Sequence, residues 1–319
     1  MTEQKKIVTM RERNMHNETN KSKVGKVIAQ ILCYAFLLVM AFIILFPFYW
    51  MIISSLKTVD EYFLSPPTFF PKEIVLKNYF WDAFDIANLG RLFYNTVLVG
   101  IVSTLLSLVI TVLSAFAFAR LEFKGKDALF GALLATMMIP GELFTITNYQ
   151  TVSQLGWIDT YTVMIVPFLV SVFYIYLLRQ NFLQIPNELY LAAKVDGTSD
   201  LKYLWKVMIP LALPTLISIT ILKMMGSWNS YVWPNLVTKV AVDRPDTYKL
   251  ITNGLRGANF TERLELLQPD GTILEQMGTR TNFPVQMAAV VVVSIPLFLV
   301  FIFLRKYIMK GVSRSGIKG

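Results

Sequence analysis

Residues 27–53 read VIAQILCYAFLLVMAFIILFPFYWMII, and this run decides the fold. It carries no charge and exceeds the roughly 20 apolar residues that cross a bilayer core. It is too long for a signal-peptide core and lacks a small-residue cleavage site, so it reads as a retained membrane helix. Five further candidate spans follow, at about 93–119, 128–147, 161–178, 209–233 and 285–304. The composition agrees: of 319 residues 55% are hydrophobic and 16% charged, too little polar surface for a soluble domain. A soluble enzyme, a nucleic-acid-binding domain and a disordered scaffold are excluded, and an all-α polytopic membrane protein with six transmembrane helices is predicted.

The segment before the first run, residues 1–26, is polar and basic and reads as a mobile tail. Six crossings put both termini on one side. The loops on that side, 1–26, 120–127, 179–208 and everything after 304, hold nineteen Lys and Arg against eight acidic residues. The opposite loops, 54–92, 148–160 and 234–284, hold ten against twelve. The basic side is therefore predicted to be cytoplasmic, as in a bacterial cytoplasmic membrane. The formal charge of +9 is a topology signal and needs no nucleic acid to explain it.

One cysteine, Cys33, and one histidine, His16, leave no intrachain disulfide, no Cys- or His-based metal site and no Ser/His/Asp triad. No phosphate-binding glycine string occurs, so any ATP and its Mg are bound by another chain. No catalytic, cofactor or metal residue is predicted. Most spans carry proline: Pro47, Pro140, Pro167, Pro210 with Pro214, and Pro296. Proline is tolerated in membrane helices where neighbours re-satisfy the freed backbone, but several together favour a moving, cavity-lining bundle. The loop 54–92, with Pro66, Pro67, Pro71 and five aromatics from Phe69 to Trp81, reads as a folded cap at the outer interface.

The most informative cytoplasmic stretch is 179–214, RQNFLQIPNELYLAAKVDGTSDLKYLWKVMIPLALP. Pro186 suits the first turn of a short helix, Glu188 favours its positive end, and Gly197 suits the left-handed residue that closes it. Leu189, Ala192, Ala193 and Asp196 share a face, and the adjacent alanines admit a close partner. Thr198, Ser199 or Asp200 can cap a second helix whose Leu201, Leu204, Trp205 and Met208 form one apolar stripe. The element suits a groove in a soluble partner; an amphipathic helix resting on the bilayer is the other reading.

AAKVDG followed by IPLALP resembles the EAA loop of binding-protein-dependent ABC transporter permeases. SSLKT at 54–58, MMIPGE at 137–142, LGWIDTY at 155–161, WNSYVWP at 228–234 and MAAV at 287–290 are similar to the carbohydrate-import branch, of the maltose-transporter second-subunit type. The resemblance covers roughly Val27 to Gly319. It implies a non-catalytic permease subunit, half of a pore for a carbohydrate, an oligosaccharide, with the coupling loop at 179–208. Implied partners are a second homologous permease, two ATP-binding subunits, an extracytoplasmic sugar-binding protein and membrane lipid. The residues implied in ATPase coupling are Glu188, Ala192, Ala193, Asp196, Gly197, Leu204 and Pro210. Two departures stand out. Leu191 replaces the motif's glutamate, with Glu188 one turn earlier. The stretch 237–284 is longer than the family needs and reads as an extracytoplasmic insertion with an extra hairpin at 267–278, turning at Asp270-Gly271.

Four residues are candidates for the substrate path: Glu142, Lys223, Trp228 and Asn229. An aromatic face stacks on a pyranose, and an amide donates to and accepts from its hydroxyls. Trp and Asn near a helix end also serve as interfacial anchor and interhelical bond. Lys223 lies about 15 Å from the outer end of its span, too far to snorkel, at a cost of at least about 2.5–3.5 kcal/mol. It either pairs with Glu142, faces the cavity and offers a cation to an acidic (uronic-acid) sugar, or meets the partner permease. The rival functions are a secondary, ion-coupled transporter, which usually needs several intramembrane carboxylates where only Glu142 is found, and a membrane enzyme acting on lipid-linked sugars, for which clustered Asp, Glu or His are lacking.

Overall fold

The computed structural model describes the backbone of residues 3–238, 248–267 and 273–313. Helix α1 (Glu3–Ser55) contains the opening apolar run but begins 24 residues before it, so the basic segment described from Glu3 is helical where a mobile tail was expected. Residues 3–26 are rich in Lys, Glu, Gln, Arg and Met, which favour helix, and Gly25 is their one strong helix disfavourer. From Val27 to Leu45 the apolar side chains of α1 stand exposed on nearly every side, a surface for lipid or a neighbouring subunit.

The cap follows as α2 (Val59–Tyr62) and α3 (Leu76–Ile86). It is folded around Lys57, 1% exposed, whose ammonium donates to the Thr68 carbonyl and sits 4.6 Å from the Trp50 ring centroid. Glu61 accepts from the Thr68 hydroxyl at 2.7 Å and from the Lys72 N–H at 3.0 Å. Burial lowers the Lys57 pKa despite the nearby Glu61 charge. Burial alone would raise Glu61, but its hydrogen bonds and the Lys57 cation outweigh that and hold it below the usual carboxylate value.

Helix α4 (Leu89–Arg120) is the axis of the bundle. Its buried face carries Gly100, Ser103, Thr104, Ser107, Thr111 and Ala115, small residues that let neighbours approach closely. The next spans are broken. Helix α5 (Lys126–Thr136) gives way to a 3₁₀ turn (Gly141–Phe144) and α6 (Thr145–Gln154), bent by 84°. Helix α7 (Tyr161–Ile165), extended by a 3₁₀ turn (Val166–Phe168), meets α8 (Val172–Leu183) at 45°. After α9 (Asn187–Val195), the segment made of α10 (Asp200–Tyr203), a π-turn (Leu204–Met208) and α11 (Ile209–Leu211) meets α12 (Leu213–Trp228) at 80°. Prolines sit at all three breaks, Pro140, Pro167 and Pro210 with Pro214, because each removes a helix donor and crowds the preceding turn. Pro47 and Pro296 stay inside continuous helices.

The chain continues through α13 (Val232–Val237) and α14 (Ile251–Gly257). A Cβ at Gly254 would lie 2.4 Å from the Leu92 side chain, so glycine is required where α14 crosses α4. Strands β1 (Thr261–Leu267) and β2 (Ile273–Thr281) pair antiparallel with two register shifts, a longer hairpin than the 267–278 expected; the Asp270-Gly271 turn lies outside the described residues. At its base Arg280 contacts Asp60 of the cap at 2.8 Å, tying hairpin to cap. Helix α15 (Phe283–Ser313) closes the bundle against α1, α3 and α12. Among the described residues three helices are long and apolar enough to cross a membrane unbroken, and there are up to six spans if each bent pair counts as one.

Candidate functional site

Two places concentrate polar chemistry: the exposed turn between α9 and α10, and a cavity between α4, the α7–α8 joint and α12.

Helix α9 starts after Pro186, with Glu188 in its first turn. It ends at Gly197, whose φ of +69° is the left-handed conformation the sequence required. The Thr198 N–H bonds to the Ala193 carbonyl at 2.9 Å and the Gly197 N–H to the Lys194 carbonyl at 3.0 Å, a Schellman closure. The turn is then clasped by groups the sequence reading passed over. Lys194 pairs with Asp200 at 2.7 Å, the Tyr190 hydroxyl donates to the same carboxylate at 2.8 Å, and Tyr190 packs on Tyr203. The Asp200 hydrogen bond raises the Lys194 pKa. Burial, then the bond to Asp200, raises that of Tyr190. Asp200 had been read only as a capping residue; its distance from Lys194 along the chain matches no helical pair spacing, so no local pattern marks the contact.

The expected faces are redistributed. Glu188, Leu189, Ala192 and Asp196 are exposed, but Ala193 turns inward against the cluster of Leu178, Phe182 and Met208. Leu191 and Val195 are exposed in its stead, Val195 to 89%. The predicted stripe of Leu201, Leu204, Trp205 and Met208 splits: Leu204 and Met208 are buried, Leu201 and Trp205 exposed. The π-turn accounts for this, since it widens the helix just before Pro210 and rotates successive side chains away from a single α-helical face. Leu204 supports the element from inside, and Pro210 is exposed at the start of the break. Arg120, counted in the sequence only as a topology charge, is buried and donates to the Phe182 carbonyl at 2.9 Å and to that of Ile185, fixing the end of α8 directly before Pro186.

The cavity measures about 370 Å³, and its wall includes Ser103, Phe168, Ser171, Tyr174, Lys223 and Trp233. Lys223 donates to the Phe168 carbonyl. Of the three readings of Lys223, the ion pair with Glu142 does not form, because the helix break at Pro140 puts Glu142 on the exposed 3₁₀ turn instead of inside a continuous span. Trp233 is held by its indole N–H on the Val163 carbonyl at 2.9 Å, with its ring 5.5 Å from Phe168. Trp228 and Asn229 are not on this wall. Trp228 packs against Phe93 in the apolar cluster around Leu89, Leu92 and Ile251, and Asn229 lies exposed at the end of α12; their neighbours Gly226, Ser227 and Ser230 line the cavity. Leu250 adds to the wall beside α14, which is fastened to α4 by the Asn95 amide on the Lys249 carbonyl at 2.8 Å and the Ile251 N–H on the Thr96 hydroxyl at 2.9 Å. Among the described residues no group of three or more His, Cys, Asp or Glu could hold a metal.

The family described as binding-protein-dependent transport system inner membrane component matches residues 17–314. A relative from Halalkalibacterium halodurans, the arabinooligosaccharides transport system permease protein AraQ, is 29% identical over 94% of this chain and 100% of its own length. The polygalacturonan/rhamnogalacturonan transport system permease protein YtcP of Bacillus subtilis is 27% identical over 91% of this chain and 98% of its own. Among solved structures, a chain of a bacterial ABC transporter involved in the import of the acidic polysaccharide alginate superposes with a TM-score of 0.73 at 23% identity, covering 88% of this chain and 96% of that one.

Proposed function

Because the chain belongs to the binding-protein-dependent family of ABC-importer permeases, as a non-catalytic multi-pass subunit of the bacterial inner membrane in its carbohydrate-uptake group, we propose that it forms half of an oligosaccharide pore. A second homologous permease supplies the other half, two ATP-binding subunits hold ATP and Mg, and an extracytoplasmic binding protein delivers the sugar. The observation that carries this reading is the Gly197-closed turn of 187–208, an exposed, internally clasped knuckle that suits docking in a groove of the ATPase. With both termini cytoplasmic, ATP-driven closure of the ATPases moves the knuckle and switches the pore between inward and outward access as a rigid-body transition. The insertion 237–284 faces the binding protein.

The substrate is read as an acidic oligosaccharide. Lys223 supports this, as a cation on the wall of an intramembrane cavity, and so does the name of the 27% identical polygalacturonan/rhamnogalacturonan permease; the arabinooligosaccharide relative marks the neutral alternative. The test is the ATPase rate of the co-purified complex with binding protein and candidate sugars. Stimulation by a uronic-acid oligosaccharide is expected, and stimulation by neutral oligosaccharides alone would reverse the charge assignment.

A further inference from the structure

We propose that the cavity is a subsite for one carboxylated sugar unit, in which Lys223 exchanges the Phe168 carbonyl for the substrate carboxylate and thereby signals occupancy to the coupling turn. The proposal rests on the acidic-oligosaccharide reading above.

In an unbroken helix the Phe168 carbonyl would accept from the N–H of residue 172. Here the turn Val166–Phe168 ends, Ser171 is extended at φ −129° and ψ 111°, and α8 leaves at 45°. The Lys223 ammonium, arriving from α12, takes the place of that missing donor. One contact thus serves two needs, an orphaned carbonyl and a cation inside a membrane span. It serves the second poorly, because a neutral carbonyl takes one of three ammonium donors and none of the charge. A carboxylate entering the cavity offers the full counter-charge and a shorter, stronger bond. Tyr174 and Ser171, whose side chains carry hydroxyls, line the same wall, and so does Trp233, held on Val163. At about 370 Å³ the space lies at the low end for small-molecule sites, fit for one or two sugar units of a longer chain.

The contact also has a position from which it can act. Phe168 precedes the coupling segment and Lys223 follows it, so their bond closes a loop that contains α8, the turn at Gly197 and the π-turn. Helix α8 has Ser171 and Tyr174 at its cavity end and Phe182 at the other, where Arg120 holds it beside Pro186. Removing Lys223 from Phe168 frees the bend at one end of a rigid rod whose far end enters the coupling turn.

The experiment uses the full complex in lipid nanodiscs with its binding protein, a uronic-acid oligosaccharide and the carboxyl-reduced, neutral counterpart. Lys223→Met is expected to raise substrate-free ATPase about fivefold or more, as the latch is lost, and to cut the preference for the charged sugar about tenfold or more. Lys223→Arg should retain the preference. Unchanged basal rate and unchanged preference in Lys223→Met overturn the proposal. Should that variant not assemble, Ser171→Ala with Tyr174→Phe carries the test: a reduced preference supports the subsite and an unchanged one overturns it. A wild-type complex that neither sugar stimulates contradicts the substrate reading on which the proposal rests, whereas a stimulated wild type beside an unaltered variant contradicts only the exchange.

Discussion

Lys194 and Lys223 both end on an oxygen across a break in the helical chain, yet their surroundings are opposite. Lys194 meets the Asp200 carboxylate at 2.7 Å on the exposed turn between α9 and α10, with Tyr190 on the same acceptor. Its charge is paired and its geometry is shared by three side chains, so the contact holds a shape. Lys223 meets a neutral carbonyl beside a cavity, with no carboxylate against it among the described residues. A lysine whose charge is met fastens; one whose charge is unmet is poised to change partner. The turn between α9 and α10 is accordingly built as a rigid knuckle, and the cavity as a place where something can be exchanged.

The largest effect is expected from attacking rigidity at its least replaceable residue. Gly197→Val puts a β-branched side chain at φ +69°, at a cost of at least about 1–2 kcal/mol. Nothing lies within 4 Å of the new Cβ, so the strain is conformational and the bundle should still assemble. Sugar-stimulated ATPase is expected to fall about tenfold; a variant that assembles and transports normally would show that the knuckle does not couple.

A smaller effect is expected at Asp200. Asp200→Asn keeps an acceptor for Tyr190 but removes the counter-charge of Lys194, and exposed pairs of this kind contribute about 0.2–1 kcal/mol. Thermal unfolding of the purified complex should shift slightly, and the stimulated rate should drop by severalfold at most. A loss as large as that of Gly197→Val would mean the carboxylate itself engages the ATPase and would break the contrast between fastener and sensor.

The smallest effect sharpens the comparison with a third lysine. Lys57 is buried in the cap, on Thr68 and the Trp50 ring with Glu61 near, and is a fastener. The folded pKa of Glu61 lies below its unfolded value, so its contribution is present above the unfolded pKa and is lost as pH falls through the folded one. Protection factors for hydrogen exchange in residues 57–72, taken relative to the intrinsic rate at each pH, should fall below about pH 4.5, and Glu61→Gln should remove that dependence. An unchanged pH response in Glu61→Gln would assign it to another group.

What was legible in the sequence divides along the same line. The spans, the short helix after Pro186 and its Gly197 stop could be read because apolar run length, proline and glycine act locally. The breaks were visible only as prolines, since a break at Pro140 and continuity through Pro47 differ in what packs around them. The inward turn of Ala193 followed from α8 and the π-turn, which no α-helical spacing reveals. Lys223 was recognisable as costly, but its partner was not: the nearest intramembrane carboxylate in the sequence was Glu142, while the actual acceptor is a backbone carbonyl freed by Pro167's turn, and a carbonyl has no sequence signature. Trp228 and Asn229 carried the right chemistry for a sugar, but helical phase turned their neighbours Ser227 and Ser230 to the cavity.

The central claim is that the turn between α9 and α10 docks on the ATPase from the cytoplasm. It is tested most directly by Val195→Cys in a Cys33→Ser background, where the new thiol is the chain's one cysteine. Val195 is 89% exposed, on the Schellman-closed end of α9. The account predicts a thiol-specific crosslink to the ATP-binding subunit in inverted membrane vesicles, and protection from impermeant maleimide in intact cells. Labelling from outside intact cells, or a freely reactive thiol in the assembled complex with no crosslink to that subunit, would contradict it.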